Sequence, residues 1–129
     1  MSNPETCRFA KSHEWIAVEG STATVGISDH AQHEITDVVF VDLPKVGRKV
    51  AAGEACATVE SVKAAFDIYA PAAGEVGEVN AALVGDPSLV NQSPHDKGWF
   101  FKLKGVDAKA LGGLMDHKTY QDFLKAAAK

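Results

Sequence analysis

Alternating apolar and polar positions divide most of the chain into short strands. Glu14-Trp15-Ile16-Ala17-Val18-Glu19 runs into Gly20-Ser21 and returns as Thr22-Ala23-Thr24-Val25-Gly26-Ile27, which predicts an antiparallel hairpin, with a short strand over 8–10 ahead of it. Ser28 followed by Asp29 is an N-cap signature, so a helix of at most two turns is predicted over 29–35. Residues 37–43, Asp-Val-Val-Phe-Val-Asp-Leu, are strongly apolar and read as the central buried strand, ended by Pro44.

The next pair of runs, 55–61 and 64–70, reads as a hairpin whose central turn residues are Val62 and Lys63. With Ser61 facing Ala64, Glu60 faces Ala65, Val59 faces Phe66, Thr58 faces Asp67 and Ala57 faces Ile68. That register puts Ala57, Val59, Phe66 and Ile68 on one face and Thr58, Glu60 and Asp67 on the other. A slip of one residue would mix the two sets, so the pattern selects this register and places Lys63 at the tip. Val-Lys is not a favoured two-residue turn, so the surrounding fold has to hold the bend. Pro44-Lys45-Val46-Gly47 is echoed by Pro71-Ala72-Ala73-Gly74, each followed by a short strand-like segment, which suggests two similar β-units flanking the lysine turn.

Residues 77–84 continue in strand-like fashion, 85–96 read as a long polar loop, and 98–104 as a last strand. A short helix weakened by Gly112-Gly113 is predicted over 107–114. Asp116 can cap a second helix, in which Tyr120, Phe123, Leu124 and Ala127 form one apolar stripe and Lys125 to Lys129 suit its negative end. The prediction is a mainly β protein, a small barrel or sandwich with helical trim. It is read as a single domain over 1–129, with a loose tail over 1–7 and a C-terminal helical segment over 107–128.

Composition narrows the function. The 129 residues carry a net charge of −4 with no Lys/Arg cluster, which points away from nucleic acid and anionic membrane surfaces. The apolar runs fall far short of a membrane span, and the first residues show neither a signal peptide nor a transit segment. Cys7 and Cys56 lack metal or redox spacing and read as small buried hydrophobes. His30 and His33 lie one helical turn apart among Asp29, Glu34 and Asp37, but no third metal ligand is specified, and a polar helix face with His30 touching a partner is the simpler reading. No nucleophile, base and acid fall into a catalytic constellation. Lys63 is different in being flanked by Glu60, Ser61, Ala64 and Ala65, which leave its ammonium sterically open. An ordinary lysine is protonated at neutral pH and a poor nucleophile, which argues against Schiff-base catalysis and fits a lysine that another enzyme acylates.

Ser12-His13-Glu14-Trp15, Val25-Gly26-Ile27, His30-Ala31-Gln32, the run from Asp37 to Pro44, Glu60-Ser61-Val62-Lys63-Ala64-Ala65, Asp67-Ile68-Tyr69-Ala70-Pro71, Gly74-Glu75-Val76, Val79-Asn80, Leu89-Val90-Asn91 and Gly98-Trp99 together resemble the glycine cleavage system H protein family over nearly the whole chain. The resemblance implies a barrel-sandwich hybrid with a short internal helix and C-terminal helices, and lipoate in amide linkage to Lys63. The enzyme attaching it, a lipoate ligase or a lipoyl/octanoyl transferase, would read Glu60, Ser61, Val62 and Ala64. The implied role is that of a non-catalytic shuttle. It takes an aminomethyl group from the pyridoxal-phosphate glycine decarboxylase (P protein), presents it to the aminomethyltransferase (T protein), and is reoxidised by dihydrolipoamide dehydrogenase (L protein), in a bacterial cytoplasm or a mitochondrial matrix. The loaded arm is expected to rest in a surface cleft, with Ser12, Glu14 and Asp67 as acceptors for its amine. Two positions depart from the family pattern: Thr36 stands where glycine is usual, and Phe66 replaces a commonly small residue beside the lysine turn. The alternatives are a biotin carrier, whose flanking methionines are replaced here by Val62 and Ala64, a lipoyl domain of a 2-oxoacid dehydrogenase, a relay that hands lipoyl or octanoyl groups to other carriers, and an unmodified β-domain.

Overall fold

A computed structural model of the chain describes residues 7–106 and 108–127, the side chains of 108–110 and 127 excepted. The tail expected over 1–7 lies outside them apart from Cys7, which is buried; Asp107 and Lys129 also lie outside. The elements in chain order are β1 (Arg8–Phe9), β2 (Glu14–Glu19), β3 (Thr22–Ile27), α1 (Asp29–Ile35), β4 (Val38–Asp42), β5 (Lys49–Val50), β6 (Ala55–Ser61), β7 (Ala65–Tyr69), β8 (Gly74–Val79), α2 (Ala82–Gly85), α3 (Leu89–Gln92), β9 (Phe101–Lys104), a 3-10 helix (Ala108–Gly113) and α4 (His117–Ala127). They form a six-stranded sheet in the order β1-β2-β3-β9-β8-β5 and a three-stranded sheet in the order β4-β6-β7.

The two predicted hairpins form as their patterns require. Trp15 pairs with Gly26 and Ile16 with Val25 in β2-β3. In β6-β7, Ala57 pairs with Ile68, Thr58 with Asp67, Val59 with Phe66 and Glu60 with Ala65. From Ala57 onward burial follows the alternation, with Ala57, Val59 and Ile68 buried and Glu60 and Asp67 exposed; it breaks at the register shift before Ala57, where Cys56 is buried too. The two Pro-x-x-Gly echoes lead into strands that pair with each other, Lys49 with Glu75 and Val50 with Gly74.

Five expectations need correction. Residues 37–43 were expected to form the central buried strand, but β4 lies at an edge and β6 is central. The register shifts between Val38 and Phe40, so Val39 and Phe40 are 55% and 46% exposed; apolarity alone does not decide burial. The strand expected over 77–84 ends at Val79, where the Asn80 side chain donates to Lys97 O at 2.7 Å and Trp99 O at 2.8 Å, and α2 follows with Leu83 in the core. The polar loop expected over 85–96 contains α3. Asn91 there accepts from Val38 N at 2.9 Å and donates to Thr36 O at 2.8 Å, so its polarity serves the interior. The last strand starts at Phe101 rather than Gly98, and the predicted helix over 107–114 is a 3-10 turn.

The main core fills the space between the sheets. It includes Ile16, Val25, Val41, Val59, Val76 and Leu103. A second cluster, Cys7, Phe9, Trp15 and Tyr120, seats α4 on the outer side of β1-β2. Tyr120 stacks on Phe9 at 4.3 Å and 3°, a pair worth about 0.5–1.5 kcal/mol beyond its burial. Asp116 Oδ1 accepts from Thr119 N at 2.8 Å, capping α4 as its sequence predicts. Gly26 is required beneath this cluster, because a Cβ there would lie 2.6 Å from the Trp15 ring.

Thr36 ends α1 at φ 65 and ψ −152, a region that costs a residue with a Cβ about 1–3 kcal/mol. Its amide and carbonyl are both bonded, to Gln32 O and Asn91 Nδ2, so the conformation is held despite that cost. Thr36→Gly is expected to raise stability by about 1 kcal/mol after allowing for the greater freedom of unfolded glycine. Urea unfolding measures it, and an unchanged or lower midpoint would mean that the threonine side chain contributes more than the strain removes.

Candidate functional site

The tip of the β6-β7 hairpin is built from Ser61. Its Oγ accepts from Lys63 N at 3.1 Å and Ala64 N at 3.2 Å, and its backbone N–H donates to Ala64 O at 2.9 Å. A second anchor comes from outside the hairpin, Val62 N donating to Asp37 O at 3.0 Å. The serine side chain thus supplies the turn chemistry that Val-Lys lacks, and the segment entering β4 fixes the bend from one side. Lys63 and Ala64 are exposed, Val62 is 69% exposed, and Ser61 is half-buried.

Lys63 stands at the edge of a cleft of about 190 Å³ between α1 and β7. Ile27, Ala31, Ile35, Val59, Phe66 and Ile68 make most of its lining apolar, and Ser12, His13, Glu34 and Asp67 add polar groups. Lys63 Nζ donates to Glu34 O at 3.4 Å, so the ammonium lies against the negative end of α1. A larger groove of about 560 Å³ lies over β2 and β3, lined by Glu19, Thr22, Lys97 and Lys102 among others, well away from the lysine.

The expected arm residues are brought together in two layers. Ser12 and Asp67 line the cleft; Glu14 lies beneath it, 1% exposed. Ser12 Oγ donates to Glu14 Oε1, and Tyr69 N donates to Glu14 Oε2 at 3.0 Å. Burial raises the Glu14 pKa above the ordinary carboxylate value, opposed by those two hydrogen bonds. Glu60 lies on the outer face beside Ala65, as the register demands. His30 is not in the cleft: its Nε2 meets Glu34 Oε1 at 2.6 Å, and its ring lies 4.9 Å from that of His13. His33 pairs with Asp29 at 3.4 Å, and among the described residues no three metal-ligating groups converge. Phe66, half-buried, packs inward against the core and forms part of the cleft wall.

Sequence reasoning missed His13, Glu34 and the apolar wall. Ala31, Glu34 and Ile35 carry the helical spacing that places side chains on one face of α1. His13 had no such signal, because its place depends on a backbone φ of 76.

Two sheets that present an exposed lysine at a braced hairpin tip define the lipoyl/biotinyl-like class of barrel-sandwich hybrid. The family model for the glycine cleavage H-protein matches residues 7–127. A glycine cleavage system H protein of Bradyrhizobium diazoefficiens is 54% identical over 116 residues, covering 90% of this chain and 95% of the relative. One of Thermus thermophilus is 52% identical over 128 residues, 99% and 100% of the two chains. The crystal structure of a glycine cleavage system H protein from Mycobacterium marinum superposes with a TM-score of 0.86 at 36% identity, covering 95% of this chain and 99% of the other. The chain belongs to the glycine cleavage H-protein family.

The raised pKa of Glu14 sets a pH dependence. Between the unfolded value, about 4.3, and the higher folded one, the native state binds more protons than the unfolded state, so this contribution to stability falls as pH rises. The stability of the wild type minus that of Glu14→Gln should decline from pH 4 upward and then level off, as read by urea midpoints. A difference that grows with pH would mean that the hydrogen bonds outweigh burial.

Proposed function

We infer that the protein is a non-catalytic carrier, one domain over 1–129, that bears lipoate on Lys63 and moves the aminomethyl group of glycine between the enzymes of the glycine cleavage system. The observation that carries this reading is the position of Lys63: exposed at a braced tip, at the edge of a mostly apolar cleft. The fit is chemical. An acyl chain ending in a sulfur ring matches Ile27, Ala31, Ile35, Phe66 and Ile68, while Ser12, Asp67 and the carboxylate beneath them suit a cationic amine.

When attached, lipoate supplies the disulfide and dithiol states and the sulfur that carries the cargo. The protein's own part is presentation and shelter. The rigid hairpin gives the arm a fixed origin, which raises its effective concentration at each enzyme. Glu60, Ser61, Val62 and Ala64 form the surface that a lipoate ligase or a lipoyl/octanoyl transferase reads around Lys63. The glycine decarboxylase (P protein), the aminomethyltransferase (T protein) and dihydrolipoamide dehydrogenase (L protein) then act on the arm in turn, in a bacterial cytoplasm or a mitochondrial matrix, and His30 is a residue for one of them to touch.

Intact mass of the protein from its native host, with peptide mapping around Lys63, tests the attachment. The expected result is one lipoyl increment on Lys63, absent in Lys63→Arg, which should also lose glycine cleavage in the reconstituted system while keeping its fold. An octanoyl adduct in place of lipoyl would favour the acyl relay. Biotin, or bare lysine in a host with active lipoylation, would overturn the assignment.

A further inference from the structure

Two walls of the cleft come from separate segments, the loop carrying Ser12 and His13 and the helix α1 with Ala31, Glu34 and Ile35. They are joined behind the cleft by a closed set of bonds. Ser28 N donates to His13 O at 2.9 Å. Ser28 Oγ lies 2.6 Å from Tyr120 Oη, which lies 2.8 Å from His13 Nδ1. Ser28 Oγ also accepts from Ala31 N at 3.1 Å as the N-cap of α1. Ser28 and Tyr120 are both 2% exposed, so these bonds are largely shielded from water. His13 adopts φ 76, left-handed backbone that a residue with a Cβ rarely takes. Neighbours on either side of it, Ser12 and Glu14, are two of the three expected amine acceptors. The Tyr120 hydroxyl on α4 reaches both His13 and Ser28 from outside the two walls, and Tyr120 itself does not line the cleft.

We propose that Tyr120 is a positioning residue for the cleft: its hydroxyl pins His13 to Ser28, so that the C-terminal helix sets the spacing of the two walls and with it the lifetime of a loaded arm. This builds on the reading that the arm rests in the cleft. The ring of Tyr120 holds α4 by stacking on Phe9, and the hydroxyl holds the cleft; substitution can separate the two. Tyr120→Phe keeps the stack and removes the pin. Phe9→Leu weakens the stack and leaves the pin.

The experiment loads the lipoylated protein from glycine with the pyridoxal-phosphate decarboxylase, carbon dioxide leaving, and follows hydrolysis of the arm to ammonia, formaldehyde and the free dithiol, beside thermal unfolding of each variant and 15N chemical shifts of the His13 ring. Tyr120→Phe, which removes both hydroxyl contacts, should shorten the half-life at least roughly threefold, lower the melting temperature by no more than Phe9→Leu does, and change the His13 Nδ1 signal. Phe9→Leu should melt earlier but keep the wild-type half-life at a temperature where it is folded. Ala31→Trp, which fills the cleft, tests the underlying reading, and its half-life should also fall. If Ala31→Trp matches the wild type, the cleft reading fails and the proposal with it. If Ala31→Trp shortens the half-life while Tyr120→Phe does not, the pin alone is overturned, as it is if Phe9→Leu shortens the half-life as much as Tyr120→Phe.

Discussion

The pairing of Val59 with Phe66 on one side and Val41 on the other is the constraint on which the site depends. β6 is the central strand of its sheet, and Val59 is its most deeply buried residue. Side chains alternate along a strand, so a slip of one residue in either pairing would turn Val59 outward and Glu60 inward. Burying an unpaired carboxylate is far more costly than leaving it in water. The register therefore resists drift and keeps Val62 and Lys63 at the tip. A core interaction some four residues away thus decides where the functional group stands.

How much of this was legible in the sequence follows from which signals are local. The β2-β3 and β6-β7 hairpins and α1 were readable because alternation, a Gly-Ser turn and a Ser28 cap act over a few residues. The failures all involve partners distant in sequence. β4 looked central because it is apolar, but the register shift next to Val39 puts two large side chains outside. The segment 85–96 looked like a solvated loop because Asn, Ser and Asp usually are. In the fold its Asn91 bonds the backbone on either side of Asp37, at Thr36 O and Val38 N, more than fifty residues earlier. The cleft was legible in part. Ser12, Glu14 and Asp67 could be named only through the cationic cargo that the family resemblance implies, whereas the depth of Glu14 depends on the Tyr69 amide across from it and the place of His13 on a left-handed backbone.

Thr36 shows how a residue with a Cβ is accommodated where glycine would be at ease. Glycine suits φ 65 because it has no Cβ; threonine adopts it here at the end of α1, where bonds to Gln32 O and from Asn91 Nδ2 hold the backbone in that conformation. Phe66 is accommodated in the opposite sense. A larger ring beside the lysine turn points inward, so it adds apolar surface to the cleft wall and leaves the exposed face of the hairpin unchanged.

The chemistry asked of such a carrier explains why its polar groups are arranged in layers. A fully apolar cleft would accept an empty arm and reject a cationic one, since moving a charge out of water without a partner is prohibitive. A carboxylate in open solvent would attract the amine only weakly, because water screens it. Glu14 lies between these limits, buried beneath Ser12 and held by the Tyr69 amide, where its field is less screened and its orientation fixed. The same burial disfavours its ionised form, so a cation arriving above it relieves a cost the fold already bears. On the proposed function, Glu14 is thus held in place and oriented before the cargo arrives.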